Sequence, residues 1–229
     1  MDGSNGASVH AQPEWGEKMQ KKLIAFEGVE GSGKSELVAR LTAWLKNCGH
    51  NVLNTREPGG SVLAERLRQV ILDDAMHGLD PLAEAFMYAA ARRQHVVETI
   101  QPALANGFWV LVDRYIDSSL VYQGMVRGAG LETVEAINRL AVGDLWPGTT
   151  ILLDLAPELA LSRLKALPER VKNRFDREAF HFHEQIRAAY RTLALSEPKR
   201  FVIVDASLSP DALFALVRDR LLARYPELA

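Results

Sequence analysis

The sequence predicts an α/β fold of three layers, in which a five-stranded parallel sheet lies between helices. Two patterns predict this fold. Short apolar runs alternate with longer segments of helical periodicity, as expected for βαβ units. The first of these runs leads directly into a glycine-rich loop and then a helix. With 229 residues, 48% of them hydrophobic and 24% charged, the chain has the size and composition of one ordinary domain.

Each element follows from a local pattern. The predicted strands are short, apolar and bounded by Gly, Pro, Asp or Asn, as buried parallel strands are. Pro102 lies late in the third helical pattern and is expected to kink or end it. The predicted strands are Lys22–Phe26, Asn51–Thr55, Phe108–Val112, Thr150–Leu153 and Arg200–Val204. The predicted helices are Lys34–Lys46, Ser61–Leu72, Pro81–Ala105, Leu131–Val142, Pro157–Ala166, Asp176–Leu195 and Pro210–Tyr225.

A phosphate-binding loop follows the first strand. The pattern Gly-x-x-x-x-Gly-Lys-Ser stands between a strand and a helix, which is the setting that this motif requires. Its glycines let successive backbone N–H groups surround a phosphate, Lys34 adds positive charge near the terminal phosphates, and the Ser35 hydroxyl can bind Mg²⁺. The helix dipole points its positive end at the same place. The pattern predicts a P-loop fold that binds a nucleoside triphosphate through Gly28, Val29, Glu30, Gly31, Ser32, Gly33, Lys34 and Ser35.

Charged residues follow most of the predicted strands, at the edge of the sheet where α/β proteins bind ligands. Asp113 ends one strand and Asp154 ends another, and either could hold Mg²⁺ or its water shell. Asp113 is favoured because Arg114 follows it directly and supplies a guanidinium suited to phosphate. The alternative for Asp113 is to cap the next helix.

Four motifs together carry a resemblance to one enzyme family. They are Phe26-Glu-Gly-x-Glu-Gly-Ser-Gly-Lys-Ser35, Thr55-Arg-Glu-Pro-Gly-Gly60, Tyr88-Ala-Ala-Ala-Arg92-Arg-Gln-His and Asp113-Arg-Tyr-Ile-Asp-Ser-Ser-Leu-Val-Tyr-Gln-Gly124. Over residues 21–225 the chain resembles the bacterial thymidylate kinases, which are P-loop nucleoside monophosphate kinases. The resemblance implies an ATP-dependent phosphotransferase that converts dTMP to dTDP in dTTP synthesis, with Mg²⁺ as cofactor.

The resemblance implies roles for residues around the thymine base and sugar. Arg92 is similar to an arginine that hydrogen-bonds the thymine carbonyl, and Tyr88 to an aromatic residue that stacks on the base. Their spacing supports the pair independently, since residues four apart share a helix face. Ser119 and Gln123 resemble polar contacts to the base, and Tyr115 resembles a tyrosine near the sugar that disfavours a ribose 2′-hydroxyl.

The resemblance also implies the cations that phosphoryl transfer requires. Arg68 resembles the arginine that holds the dTMP phosphate, Arg114 resembles its neighbour on the acceptor side, and Glu30 orients dTMP or a positioning arginine. Thymidylate kinases carry their catalytic arginine either in the phosphate-binding loop or in a lid. This loop has none, so the chain resembles the lid type, with Arg170 as the expected catalytic residue and Arg174 assisting.

One residue departs from the family pattern. The family usually has Thr or Ser after the motif's own Ser or Thr, where its hydroxyl meets the α-phosphate, and this chain has Glu36. A carboxylate there brings negative charge towards the nucleotide unless the side chain turns away. The departure bears on ATP affinity and leaves the predicted fold unchanged.

Composition limits the partners and the setting of the chain. The 27 Lys and Arg residues against 29 Asp and Glu residues give a net charge of −2, so no overall field attracts nucleic acid. No apolar run approaches the roughly 20 residues of a membrane helix. The single Cys48 fits a reducing compartment, and a cytoplasmic protein is expected. Residues 1–20 are expected to form a disordered or loosely docked extension, and residues 21–229 a kinase domain with a lid at about 166–175. The resemblance implies a homodimer formed by helices.

Two other functions remain open on the sequence alone. One is a kinase for another nucleoside monophosphate or for a deoxynucleoside, against which Tyr88, Arg92, Ser119 and Gln123 argue. The other is a P-loop nucleotide-binding module without transfer activity, although the Asn-Lys-x-Asp motif by which GTPases read guanine is absent from the sequence.

Overall fold

The computed structural model describes residues 16–76, 78–166, 175, 178 and 180–229. Its strands are β1 (Leu23–Glu27), β2 (Val52–Arg56), β3 (Trp109–Asp113), β4 (Thr149–Asp154) and β5 (Phe201–Asp205). They form one parallel sheet in the order β2-β3-β1-β4-β5, which confirms the predicted fold class. The first strand is therefore central, and the loop that follows it lies in the middle of the sheet edge.

The strands reach one residue further than predicted at their carboxyl ends. Arg56 is in register with Asp113, and Asp154 is in register with Asp205. Parallel pairing depends on backbone N–H and C=O groups, so it continues through charged residues that an apolar pattern excludes. As a result, the charged strand ends stand side by side along one edge.

Helices cover the sheet, and their bounds follow local signals. Ser61, Asp80 and Ser209 accept hydrogen bonds from backbone N–H groups of the helices that they precede, and Pro81 and Pro210 occupy first-turn positions. The helices are α1 (Glu17–Lys21), α2 (Lys34–Asn47), α3 (Val62–Leu72), α4 (Pro81–His95), α5 (Gln101–Ala105), α6 (Ile116–Ser119), α7 (Leu131–Val142), α8 (Pro157–Lys165), α9 (Phe180–Ser196) and α10 (Pro210–Arg224).

The predicted helix 81–105 is divided in the structure. A π-helical stretch, Val96–Ile100, separates α4 from α5, and Pro102 lies in the first turn of α5. Proline cannot donate to the preceding turn, so the wider turn before it accommodates the missing hydrogen bond. Sequence patterns did not predict α1, α6 or the π-helical stretch Leu120–Val126 that continues α6.

Candidate active site

A cavity of about 630 Å³ opens at the carboxyl ends of the strands. The phosphate-binding loop stands in its middle because β1 is the central strand. Residues that follow β2 and β3 line one side, and residues of α8 and of the segment after β5 line the other. This is the edge at which α/β proteins bind ligands.

The phosphate-binding loop is built around Gly28 and Lys34. Gly28 has a φ of +138°, and a Cβ there would lie 2.5 Å from the carbonyl oxygen of Leu153, so glycine is required where the loop passes β4. The buried Lys34 ammonium donates to the carbonyl oxygens of Gly28 (3.0 Å) and Val29 (2.9 Å). Burial lowers the pKa of Lys34, and the positive charge of Arg114 lowers it further. Lys34 and the amino-terminus of α2 concentrate positive charge at the loop.

Two oxygen ligands meet beside this loop. The Ser35 hydroxyl, in the first turn of α2, donates to Asp113 Oδ2 over 2.7 Å. Both residues line the cavity. Hard oxygen atoms from one carboxylate and one hydroxyl fit Mg²⁺, which usually completes its shell with substrate phosphates and water. Within the described ranges, no group of three or more His, Cys, Asp or Glu residues could hold a metal, so an ion at this pair would take its other ligands from the nucleotide and water.

The competing carboxylate, Asp154, is engaged by helix α9. It accepts hydrogen bonds from Arg187 (2.6 and 3.1 Å) and Arg191 (2.5 Å). Partial burial alone would raise the pKa of Asp154, but the hydrogen bonds and charges of the two arginines outweigh it and lower that pKa below its ordinary value. The geometry therefore favours Asp113 for a metal and gives Asp154 a structural partner.

Arg114 places a cation next to the loop. Its backbone is left-handed, with φ of +67°, and its Nη2 donates to Glu30 Oε1 over 3.1 Å. The guanidinium lies 5.3 Å from the centre of the Tyr122 ring. Burial opposes the charge, but Tyr122, Glu30 and other neighbours raise the pKa of Arg114 well above its usual value. The guanidinium therefore stays charged at the cavity.

Two arginines stand on the side formed by the residues after β2. Arg68 and Arg56 both donate to the Pro58 carbonyl oxygen, over 2.9 and 3.0 Å, and Arg56 also pairs with Glu65 at 3.1 Å. Burial lowers the pKa of Arg68, and the charge of Arg56 adds to this effect. Sequence reasoning selected Arg68 and missed Arg56, although Arg56 lies within one of the motifs that identified the family.

Tyr88 and Arg92 of α4 both line the cavity, as their spacing predicts. Arg92 is only 2% exposed and is charge-compensated by the buried Glu57. Four of its five guanidinium N–H groups have partners among the described residues. They donate to Glu57 Oε2 (2.7 Å), Ser119 Oγ (3.1 Å), Asn138 Oδ1 and the Tyr115 carbonyl oxygen (3.0 Å).

Gln123 and Ser119 are placed differently from one another. Gln123 lines the cavity, and its amide donates to the buried Glu84 over 2.6 Å. Ser119 is 2% exposed and is not among the described residues that line the cavity. Because its hydroxyl accepts the hydrogen bond from Arg92, Ser119 supports that arginine from behind, and the structure does not bring it to the cavity as expected.

Comparison with known proteins decides the family. The family model for thymidylate kinase matches residues 26–217. The chain belongs to the thymidylate kinase family. It is 45% identical over 201 residues to the thymidylate kinase of Bacillus licheniformis, covering 88% of this chain and 95% of that one. It is also 45% identical to the thymidylate kinase of Solidesulfovibrio magneticus over 196 residues, with coverages of 83% and 94%. The crystal structure of thymidylate kinase from Ehrlichia chaffeensis matches with a TM-score of 0.69 at 28% identity, covering 86% of this chain and 97% of that one.

The structure bears on one further expectation from the thymidylate kinase resemblance, the contact of Tyr115 with the sugar. The Tyr115 side chain is fully buried, and its hydroxyl donates to the Leu145 carbonyl oxygen over 3.1 Å. Tyr115 is among the residues that line the cavity, but its side chain packs in the core and its hydroxyl is taken up by this backbone contact, so the geometry does not support the expected contact with the sugar. Tyr122, seven residues later, lines the cavity and packs against Arg114. The signal that could have selected it is its place in the same motif.

The Glu36 departure from the thymidylate kinase pattern has a simple local outcome. The side chain is 61% exposed, and its carboxylate lies 3.9 Å from Arg40 Nη1, one helical turn further on. Arg40 also donates to Asp211 over 2.6 Å. Glu36 and Arg40 both line the cavity, where the carboxylate is exposed to water and close to a cation, and both surroundings weaken the effect of its charge.

The predicted lid of the kinase lies mostly outside the described residues. Arg170 and Arg174 fall there, and so does Lys172 between them. The lid arginines remain a prediction. No helix of the described residues is both long and apolar enough to span a membrane.

Proposed function

We propose that this thymidylate kinase family member transfers the γ-phosphoryl group of ATP to dTMP, giving dTDP and ADP. The proposal rests on one observation: a site for a donor triphosphate and a site for an acceptor phosphate open into the same cavity. The phosphate-binding loop shares this cavity with three arginines, of which Arg56 ends β2, Arg68 lies on α3 and Arg114 follows β3. A donor triphosphate and an acceptor phosphate can therefore lie end to end between them.

On the donor side, the loop binds the ATP phosphates. Gly28, Val29, Glu30, Gly31, Ser32 and Gly33 shape the backbone, and Lys34 supplies the charge. Ser35 and Asp113 would hold Mg²⁺, which would supply positive charge to neutralise the phosphates.

On the acceptor side, burial separates two kinds of arginine. Arg68, held by the Pro58 carbonyl oxygen, and Arg114, between Glu30 at 3.1 Å and Glu27 at 4.0 Å, are partly exposed at the cavity and can offer a guanidinium to a phosphate. Arg92 is neutralised by Glu57 at 2.7 Å and suits a neutral carbonyl group of a base. Tyr88 offers an aromatic ring on the same face of α4, and Gln123 offers a polar group near it.

The chemistry needs positioning and charge more than acid–base catalysis. An oxygen of the acceptor phosphate attacks the γ-phosphorus, the bond from that phosphorus to the β–γ bridging oxygen breaks, and ADP leaves. The acceptor phosphate is largely dianionic near neutral pH because its second pKa is about 6, so no general base is required. Lys34, Arg114 and the lid arginines Arg170 and Arg174 would offset the repulsion between the two anions.

The protein is further proposed to be a cytoplasmic homodimer. Helices α3 and α7 both pack against α4, and apolar side chains on all three are exposed, including Val62 (76%), Phe86 (55%) and Leu140 (76%). Phe86→Glu is expected to give a monomer by light scattering. Leu195→Glu, at a position on α9 that is 69% exposed, is the control that should keep the dimer.

A coupled ADP-release assay tests the function across dTMP, dUMP, dGMP, AMP and CMP. dTMP is expected to be the best acceptor by kcat/KM. A higher kcat/KM with another nucleotide would support the alternative, a kinase for a different nucleoside monophosphate. ATP binding by calorimetry with no turnover on any acceptor would support the non-catalytic nucleotide-binding module.

A further inference from the structure

A buried carboxylate lies directly behind the phosphate-binding loop. Glu27, the last residue of β1, has no solvent exposure. Its Oε1 accepts hydrogen bonds from the backbone N–H groups of Tyr115 (2.8 Å) and Ser118 (3.1 Å). Its Oε2 lies 2.6 Å from the Ser118 hydroxyl and 2.8 Å from the Tyr190 hydroxyl. A carboxylate is costly to bury unless hydrogen-bond donors satisfy it. These four hydrogen bonds offset the cost of burying Glu27.

Arg114 fixes the direction of the two hydroxyl hydrogen bonds. Its Nη1 donates to Ser118 Oγ (3.1 Å) and to the Tyr190 hydroxyl oxygen (3.2 Å). A guanidinium has donors only, and a hydroxyl has a single hydrogen. Each hydroxyl therefore accepts from Arg114 and is placed to give its own hydrogen to Glu27 Oε2. The two hydroxyl oxygens also lie 2.9 Å apart, so they are within hydrogen-bond distance of each other. The order of donation runs from Arg114 through two hydroxyls to one carboxylate.

The two ends of the Arg114 guanidinium have different surroundings. Nη1 faces the buried Tyr190 and the partly buried Ser118, which also lines the cavity, whereas Nη2 reaches Glu30 at the cavity. The relay of these two hydroxyls fixes the rotation of the planar guanidinium, and thereby the direction in which Nη2 points. A long side chain such as arginine loses conformational entropy when it is held in one conformation. Because the relay already holds Arg114 in place, this cost is met before a ligand binds.

Tyr190 brings a distant helix into this arrangement. It lies on α9, 76 residues after Arg114, and its side chain is fully buried. Burial and the charge of Glu27 raise the pKa of Tyr190 well above its usual value. The hydroxyl stays protonated and keeps donating to Glu27.

We propose that Glu27, Ser118 and Tyr190 form a relay that positions Arg114 for the acceptor phosphate, with Tyr190 as the positioning residue through which α9 joins the active site. The inference rests on the proposed function, because it assigns Arg114 to the acceptor side. Neither Glu27 nor Tyr190 needs to touch either substrate.

Tyr190→Phe is the first test, because it removes one hydroxyl and keeps the ring. It is expected to lower kcat/KM for dTMP about tenfold, the size expected for a lost hydrogen bond to a charged group, and to leave KM for ATP within about twofold. Ser118→Ala should lower kcat/KM for dTMP in the same selective way if Tyr190→Phe fails to fold. Tyr225→Phe is the matched control, since Tyr225 is also a buried tyrosine, with its hydroxyl 2.7 Å from Thr149 Oγ1 at the opposite end of the sheet. Its activity should equal that of the wild type.

A double-mutant cycle separates positioning from a general structural effect. Arg114→Lys keeps the charge and replaces the planar guanidinium, with its two terminal nitrogens, by a single ammonium nitrogen. If Tyr190 acts through Arg114, the double variant should be no worse than Arg114→Lys alone, within about twofold in kcat/KM for dTMP. The relay would be overturned if the fold-losses in kcat/KM of the two single variants multiplied in the double variant. It would also be overturned if Tyr190→Phe were as active as Tyr225→Phe.

The relay and the proposed function fail in different ways. A wild-type protein that does not phosphorylate dTMP refutes the function. The same cycle, run on whichever acceptor the ADP-release assay identifies, still tests the relay. A wild type that is active on dTMP with a normal Tyr190→Phe variant refutes the relay alone.

Discussion

The Ser35 hydroxyl donates a 2.7 Å hydrogen bond to Asp113, which lies 78 residues further along the chain. The contact joins the first turn of α2 to the end of β3, because β1 and β3 are neighbours in the sheet. It brings one hydroxyl and one carboxylate oxygen to the mouth of the phosphate-binding loop. This is the arrangement that a nucleotide-bound Mg²⁺ needs from the protein.

Asp113→Asn should abolish most of the activity without unfolding the protein. The amide can still accept from Ser35, but it lacks the charge that attracts the ion. We expect kcat to fall about 100-fold or more at fixed Mg²⁺, with saturation shifted to higher Mg²⁺ in a titration of the steady-state rate. Asp205→Asn, at the end of β5, is the control and should keep the wild-type rate. A normal Mg²⁺ titration for Asp113→Asn would exclude it as a ligand.

Arg170→Ala should lower kcat by orders of magnitude and barely change the affinity for dTMP. The lid arginine is expected to act on the transferred group, whose charge develops in the transition state. Steady-state kinetics and calorimetric titration with dTMP measure the two effects separately. Near-normal turnover would remove Arg170 from the catalytic set and direct attention to Arg174.

Tyr115→Phe and Tyr122→Phe should affect different properties. Loss of the Tyr115 hydroxyl leaves the Leu145 carbonyl without its donor, so we expect a loss of about 1–2 kcal/mol in the free energy of unfolding and an unchanged KM for dTMP. Tyr122 lines the cavity, so its variant should raise KM for dTMP several-fold. Urea unfolding and steady-state kinetics on both variants check this. A raised KM for dTMP in Tyr115→Phe alone would show that Tyr115, and not Tyr122, contacts the substrate.

Asp154→Asn should cost stability in a way that depends on pH. The pKa of Asp154 is lowered in the folded state, so its contribution is complete above the unfolded-state pKa of about 3.9 and is lost as pH falls through the lower folded-state value. We expect the variant to be less stable by about 1–3 kcal/mol at pH 7, with the difference narrowing below about pH 4. Urea unfolding at several pH values measures it. A constant difference would mean that the carboxylate charge is not responsible.

The positions of the strands could be read from the sequence, but their ends could not. Apolar runs identify buried segments, yet Glu27, Arg56 and Asp113 belong to strands because backbone pairing extends to them. The helix after Asp113 was missed for a related reason. Residues 116–126 mix buried polar groups such as Asp117 and Gln123 with apolar ones, so the segment lacks the clean periodicity of an amphipathic helix.

The site was predictable where its residues are close in sequence. The loop motif and the spacing of Tyr88 and Arg92 are local, and the structure brings both to the cavity. The pairing of Arg92 with Glu57 joins residues 35 positions apart, and Tyr190 reaches Glu27 across 163. No local pattern encodes such contacts, because they follow from how the helices pack on the sheet.

The most direct test of dTMP kinase activity follows the transferred group itself. The purified protein is incubated with dTMP, Mg²⁺ and ATP labelled at the γ-phosphorus, and the products are separated by chromatography. We predict that label appears in dTDP in equal amount to the ADP formed. ADP accompanied only by labelled inorganic phosphate, or no ADP at all, would contradict the assignment.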